Sequence, residues 1–374
     1  RRPAGPSRNH EPWPQRKRRR ISAGPRVWPM TSQTRVVRPP SNAAYATARE
    51  RSDGQAKPLG ALGGLEELGA WLASVQGICP PRQLDDVRVV VFAGDHGVAQ
   101  FGVSAYPAEI TVAMVRGIVT GHAGVTALAA ANGVRVGLYD ISVAEDLPDL
   151  PDIGRFKVRR SSAPIQVADA LSVAEVEQAL AAGDQIAAEA ITDGAQLLIA
   201  GDLGIGNTTI AAALIAASLD VPATAVTGRG TGIDQTVLDH KVAVVEAAIS
   251  RAGRQRLADP IQRLAAVGSA DFAAAVGFMI GSARRGVPVL LDGVIAAAEA
   301  VVAEDLAPGT KAWLQAGHRS PEPGQALALD RLGLRPLVDF SMRLGEGSGA
   351  VLAVPMLRSA VAAMTGIAQL SELM

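Results

Sequence analysis

The sequence predicts an α/β fold, a doubly wound and mainly parallel Rossmann-like sheet. Three observations predict it. Short apolar runs recur along the chain, helical signals fall between them, and glycine-rich turns close several of the runs. The runs are Val87–Ala93, Val134–Asp140, Leu197–Gly201, Val287–Leu291, Trp313–Ala316 and Leu337–Asp339. They are apolar throughout instead of alternating, the pattern of strands covered on both faces and hence of a parallel sheet. A β-α-β-α order makes such a sheet doubly wound, with ligands bound at the carboxyl ends of the strands.

The elements follow in chain order. A helical pattern spans Leu62–Val75 ahead of the first strand. Ser172 and Glu175 form a capping box before Val176 and Leu180. After the strand at Leu197–Gly201, the turn Gly201–Thr209 opens a helical run over Ile210–Ala217. Asp234 caps a run through Val237, Leu238, Val242 and Val245, and the final stretch Pro355–Leu373 is again helical.

Composition narrows the function classes. The 36 Lys/Arg and 36 Asp/Glu cancel, but nine cations and one anion lie in residues 1–29, leaving 27 against 35 in the remainder. The folded part is therefore acidic, and the basic run in residues 1–29 is the one segment that reads as a nucleic-acid arm or localisation signal. Residues 1–29 include Arg16-Lys17-Arg18-Arg19-Arg20 and many prolines but no apolar core of a signal sequence, and Met30 is the first methionine. They are expected to be a disordered or spurious extension. No stretch reaches the ~18 uninterrupted apolar residues of a membrane span. A single cysteine, Cys79, excludes an internal disulfide and a cysteine-rich metal site and fits a reducing cytoplasm. Five histidines without a His-x-x-x-His pair argue against a metal site, and no Gly-x-Ser-x-Gly elbow supports a serine nucleophile.

Four glycine-rich segments carry the candidate chemistry. The turn Gly201-Asp202-Leu203-Gly204-Ile205-Gly206-Asn207-Thr208-Thr209 presents free N–H groups and two hydroxyls at a helix start, which suits a phosphate as well as it suits an ordinary cap. It is neither a Walker loop nor a dinucleotide fingerprint. Gly228-Arg229-Gly230-Thr231-Gly232 is a second candidate nest of donors, with Arg229 and Lys241 as nearby cations. Gly94-Asp95-His96-Gly97 closes the first strand. Leu344-Gly345-Glu346-Gly347-Ser348-Gly349-Ala350 sets a carboxylate on a bare turn, either a general base or a surface loop.

In this order, with Gly102–Pro107, Leu291-Asp292-Gly293 and Gly317-His318-Arg319-Ser320, these segments resemble the nicotinate-nucleotide:dimethylbenzimidazole phosphoribosyltransferase family from about Lys57 to the C-terminus. The resemblance implies phosphoribosyl transfer from nicotinate mononucleotide to a benzimidazole-type base without a cofactor or metal, in a cytoplasmic homodimer with no membrane or nucleic-acid partner. It implies a small helical domain from residues 30–85 with 351–374, beside a catalytic domain over residues 86–350. Glu346 is implied as the base, with Asp202 as a second carboxylate. Substrate contacts are implied at Ser104, Leu203, Gly204, Gly206, Asn207, Thr208, Gly230, Thr231, Lys241, Asp292, Ser320 and Leu344. The chain departs from the pattern in having Asp202 where many relatives carry Glu, Gln325 for a common His, and no glutamine in Thr111–Met114. A non-catalytic nucleotide or sugar-phosphate binder is the alternative, disfavoured by Glu346; an oxidoreductase lacks its fingerprint.

Overall fold

The computed structural model describes residues 36–374; the expectation for residues 1–29 lies outside them. Five strands, β1 (Val87–Gly94), β2 (Arg135–Ser142), β3 (Leu197–Leu203), β4 (Val289–Leu291) and β5 (Leu314–Ala316), form one parallel sheet in the order β2-β1-β3-β4-β5. Helices α1 (Asn42–Asp53) and α2 (Gly64–Gln76) precede β1. Next come α3 (Ile110–Val119), α4 (Gly124–Ala131), β2, α5 (Val173–Thr192), β3 and α6 (Asn207–Leu219). A helical stretch follows, comprising α7 (Ala223–Val226), α8 (Gln235–Ala252), α9 (Arg254–Leu257), α10 (Pro260–Val267) and α11 (Ala270–Arg284). The chain closes with β4, α12 (Val294–Leu306), β5, α13 (Pro323–Leu332), α14 (Ser348–Gly366) and α15 (Leu370–Leu373).

The apolar strands are explained by cover on both faces. Phe92 of β1 meets Phe278 of α11 edge-on at 5.4 Å between centroids. On the opposite face, Val89 and Ile199 lie beneath Gly347, at the start of α14. Every residue of β1 and β3 is buried. The expected caps at Ser172 and Asp234 are present, with the Ser172–Glu175 box complete.

Two expectations need correction. Leu337–Asp339 is not a strand. Its backbone bonds the end of β5, Leu337 N–H to Ala316 O at 3.1 Å and Val338 N–H to Gly317 O at 3.1 Å, and then leaves the sheet after a single bridge. The C-terminal helical stretch begins with α14 at Ser348, seven residues before Pro355, which lies inside that helix. That helix therefore crosses the boundary expected at residue 351. It packs with α1 and α2 through a small cluster of Ala48, Ala70, Ala73 and Met364, while Leu68, Leu72 and Val75 of α2 join the main core.

Two stretches are long and apolar enough to cross a membrane, Ile110–Ala131 and Ser348–Gly366. The first divides into α3 and α4, and the second buries Ala350, Val351, Val354 and Leu357 in the core, as interior helices of globular chains do.

The strand order places β2 and β3 on opposite sides of β1, so the crossovers diverge at the carboxyl ends of β1 and β3. Such a switch point opens a crevice for ligands. Here the two loops touch. A Cβ on Gly204 would lie 1.9 Å from Gly94 O, so only glycine fits.

Candidate functional site

Glu346 stands at this switch point on three successive left-handed residues, Gly345, Glu346 and Gly347, with φ of 84°, 63° and 87°. A glutamate in that region is uncommon and costs roughly 1–3 kcal/mol, held only where the surroundings fix it. They do so here. Glu346 N–H donates to Asp202 O at 3.3 Å. Asp292 accepts from Gly347 N–H at 3.2 Å and Ala350 N–H at 2.9 Å, so its carboxylate sits at the N-terminus of α14. His318 lies 3.4 Å from Asp292, and Gln325 Nε2 donates to the carbonyls of Asp292 and His318 at 3.3 and 2.9 Å. Asp292 thus supports the loop.

The Glu346 side chain is buried, and its Oε2 accepts one hydrogen bond, from Val125 N–H at 3.2 Å in the first turn of α4. Burial raises its pKa against that bond, and nearby Asp292 adds to the rise. A carboxylate so raised is a better proton acceptor near neutrality. Leu344, half-exposed, lies against Gly124 beside it, where a Cβ would meet Leu344 Cδ2 at 2.4 Å.

Asp202, next to last in β3, is buried and accepts from Asn207 Nδ2 at 2.7 Å. Burial, then the neighbouring Asp271 and Glu299 carboxylates, raise its pKa well above the usual range. Its side chain is therefore held by the interior. Gly206, with φ of 94°, turns the chain into α6, whose first turn carries Asn207, Thr208 and Thr209.

Lys241 has no exposed surface, yet it approaches α6 from α8. Its Nζ donates to Thr208 Oγ1 at 2.8 Å and Gly228 O at 3.1 Å. Desolvation pushes its pKa down to about 8 against the pull of Glu322. Gly230 N–H donates to Glu322 Oε1 at 2.7 Å, and Ser320 Oγ accepts from Glu322 N–H at 3.3 Å. Thr231 Oγ1 accepts from Ala105 N–H at 3.0 Å and lies 3.3 Å from Ser104 Oγ. Arg343 joins the two halves, donating from the Glu346 loop to Gly230 O at 3.1 Å.

Three hydrogen-bonded groups thus meet along the Gly228–Gly232 turn: Lys241 with Thr208 and Gly228, Gly230 and Ser320 through Glu322, and Thr231 with Ser104. Glu346, Asp202, Asn207 and Asp292 form a separate cluster, with Leu203 and Gly204 in the β3 turn. Arg229 turns away, bonding Ile233 O at 2.9 Å and Gln235 at 2.7 Å. Sequence reasoning missed Glu322, Arg343 and the N-terminus of α4. Glu322 lay beside Ser320 in a stretch with no glycine turn, and Val125 acts through its backbone, which leaves no side-chain signal.

A family described as phosphoribosyltransferase matches residues 37–373. The nicotinate-nucleotide–dimethylbenzimidazole phosphoribosyltransferase of Mycobacterium avium (strain 104) is 53% identical over 337 residues, covering 90% of this chain and 96% of the relative. The protein of that name from Mycobacterium tuberculosis (strain H37Rv) is 53% identical over 336 residues, 90% of this chain and 92% of the relative. The crystal structure of CobT from Thermus thermophilus superposes with a TM-score of 0.85 at 43% identity, over 88% of this chain and 98% of that one.

Proposed function

The chain belongs to the nicotinate-nucleotide–dimethylbenzimidazole phosphoribosyltransferase family, and from that premise we propose how its residues divide the work. The enzyme moves the phosphoribosyl group of nicotinate mononucleotide to 5,6-dimethylbenzimidazole, giving α-ribazole 5′-phosphate and nicotinate for the lower ligand of cobalamin. The observation that carries the division of labour is the pair of clusters joined by Arg343, one built on an anion cradle and one on a buried carboxylate.

The leaving pyridine is already cationic, so its departure needs no proton. The attacking benzimidazole is the partner that needs help. One ring nitrogen attacks C1′ of the ribose while the other sheds its proton, and Glu346 accepts it. Attack opposite the leaving group inverts the β-nucleotide to the α-nucleotide. Thr208, Lys241 and Ser320 hold the phosphate, with Gly230, tied to Glu322, shaping the turn beside them, while Ser104 and Leu344 border the base. The donor carries no diphosphate for a metal to neutralise. The reaction belongs in the cytoplasm, and the enzyme acts as a homodimer.

The test is direct. Purified protein incubated with nicotinate mononucleotide and dimethylbenzimidazole is expected to release nicotinate and α-ribazole phosphate in equal amounts. Nucleotide binding without turnover would leave a binding protein instead.

The cradle has a pH signature. Lys241 is a cation below about pH 8. Its ion pair with the phosphate is present below that value and is lost as the pH rises through it. The KM for the nucleotide is expected to climb between pH 7 and 9, with the KM for the base little changed. A flat nucleotide KM across that range would remove Lys241 from the cradle.

A further inference from the structure

Beneath the switch point, three side chains from distant segments converge: His96 after β1, Asp202 near the end of β3 and Asp271 at the start of α11. All three are buried, and candidate ligand atoms of the set lie within 4.8 Å of one another. Each carboxylate commits one oxygen to a neutral donor. Asn207 Nδ2 lies 2.7 Å from Asp202 Oδ1, and Ser142 Oγ lies 3.4 Å from Asp271 Oδ1. The other oxygens, Asp202 Oδ2 and Asp271 Oδ2, and both ring nitrogens of His96 find no hydrogen-bonding donor or acceptor outside the cluster among the described residues, while Asp202 and Asp271 stand within hydrogen-bonding reach of each other. His96 Nε2 faces Asp271 Oδ2 at 3.4 Å. Glu299 Oε1, also buried and without a partner, belongs to a carboxylate that interacts electrostatically with Asp271 and Asp202.

Buried carboxylates are retained when paired or when they bind a cation. Among the described residues, no Lys or Arg forms an ion pair with Asp202, Asp271 or Glu299. We propose that His96, Asp202 and Asp271 form a divalent metal site, with Glu299 as a further carboxylate beside it. Points within 4.8 Å of one another share a centre about 2.8 Å or less from each. A shift of several tenths of an ångström reaches the roughly 2.0–2.2 Å of zinc–nitrogen and zinc–carboxylate bonds. Imidazole with carboxylates suits Zn²⁺ or Mn²⁺. Asn207 and Ser142 act as the outer donors that orient such ligands. The ion would pin the Asp202 turn, whose carbonyl accepts Glu346 N–H, and so it has a structural role distinct from the transfer chemistry. The sequence spacing argued against a metal because the three residues are 69 to 175 positions apart and share no local motif.

Elemental analysis of untagged protein purified without chelator is expected to find about one zinc or manganese per chain. After chelator treatment, added Mn²⁺ or Zn²⁺ should bind at one site and raise the melting temperature. Asp271→Asn keeps the side-chain shape and should weaken that binding by at least about 100-fold, since losing even an outer-shell partner costs roughly 10–100-fold. His96→Gln is the second variant, with circular dichroism confirming the fold of each. No metal retained, no binding by Mn²⁺ electron paramagnetic resonance and no thermal shift would overturn the site and leave a proton shared between the carboxylates. Unchanged affinity in folded Asp271→Asn would overturn it equally.

Discussion

Replacing Glu346 by glutamine is expected to lower kcat by roughly two to four orders of magnitude while both substrates still bind, because the amide keeps the shape but cannot accept the benzimidazole proton. The left-handed backbone at φ 63° should persist, since it is held by Asp202 O and by Asp292 through Gly347, not by the Glu346 side chain. Binding and chemistry therefore separate. The wild-type rate should also fall at acid pH along a limb set by Glu346. Burial raises that pKa, so the limb lies above the usual glutamate range, with activity present above it and lost as the pH falls through it. In Glu346→Gln this limb should vanish, and raising the pH toward the free benzimidazole anion should recover part of the rate. The measurements are kcat over pH for both proteins and nucleotide affinity by calorimetry. A near wild-type kcat in Glu346→Gln would shift the role of base to another group, with Asp202 the next carboxylate to replace.

The site was legible in sequence where function depends on backbone shape. Gly94, Gly201, Gly204 and the Gly345–Gly347 turn showed because close approach and positive φ leave glycine in the text. Central strands showed because cover on both faces makes them uniformly apolar, as in β1 and β3. Leu337–Asp339 misled for the same reason. It is apolar and hydrogen-bonds the end of β5, but it runs beside Ala316 and Gly317 for too short a distance to form a strand. Partnerships across the chain were not legible. The resemblance implies Asp292 as a substrate contact, and only the fold shows its carboxylate accepting from Gly347 and Ala350, more than fifty residues on. Arg229 and Lys241 read alike as nearby cations from the residues alone, and only the resemblance singles out Lys241. Burial distinguishes them, turning Lys241 inward to Thr208 while Arg229 braces its own loop.

That distinction yields the second large effect. Lys241→Ala is expected to weaken nicotinate mononucleotide binding by roughly 10- to 150-fold, the equivalent of the 1.5–3 kcal/mol of a charge-assisted hydrogen bond. Ser320→Ala should follow at the lower end, because a hydroxyl contributes less than an ammonium. Neither should change the affinity for dimethylbenzimidazole by more than about twofold. Fold damage could imitate this result, since Lys241 also bonds Gly228 O and Thr208 Oγ1 in the free protein. The separation lies in pH and in ligand. Charging the buried Lys241 costs desolvation, which offsets part of what its removal loses, and Lys241→Met, which keeps the buried stem and drops the charge, should leave the melting temperature at pH 7 little changed. Loss of nucleotide affinity should occur with that stability intact, and nicotinate riboside, which lacks the phosphate, should bind wild type and Lys241→Ala alike. If calorimetry gives equal nicotinate mononucleotide affinity for wild type, Lys241→Ala and Ser320→Ala, the phosphate lies elsewhere at the switch point and the first turn of α6 is the place to look.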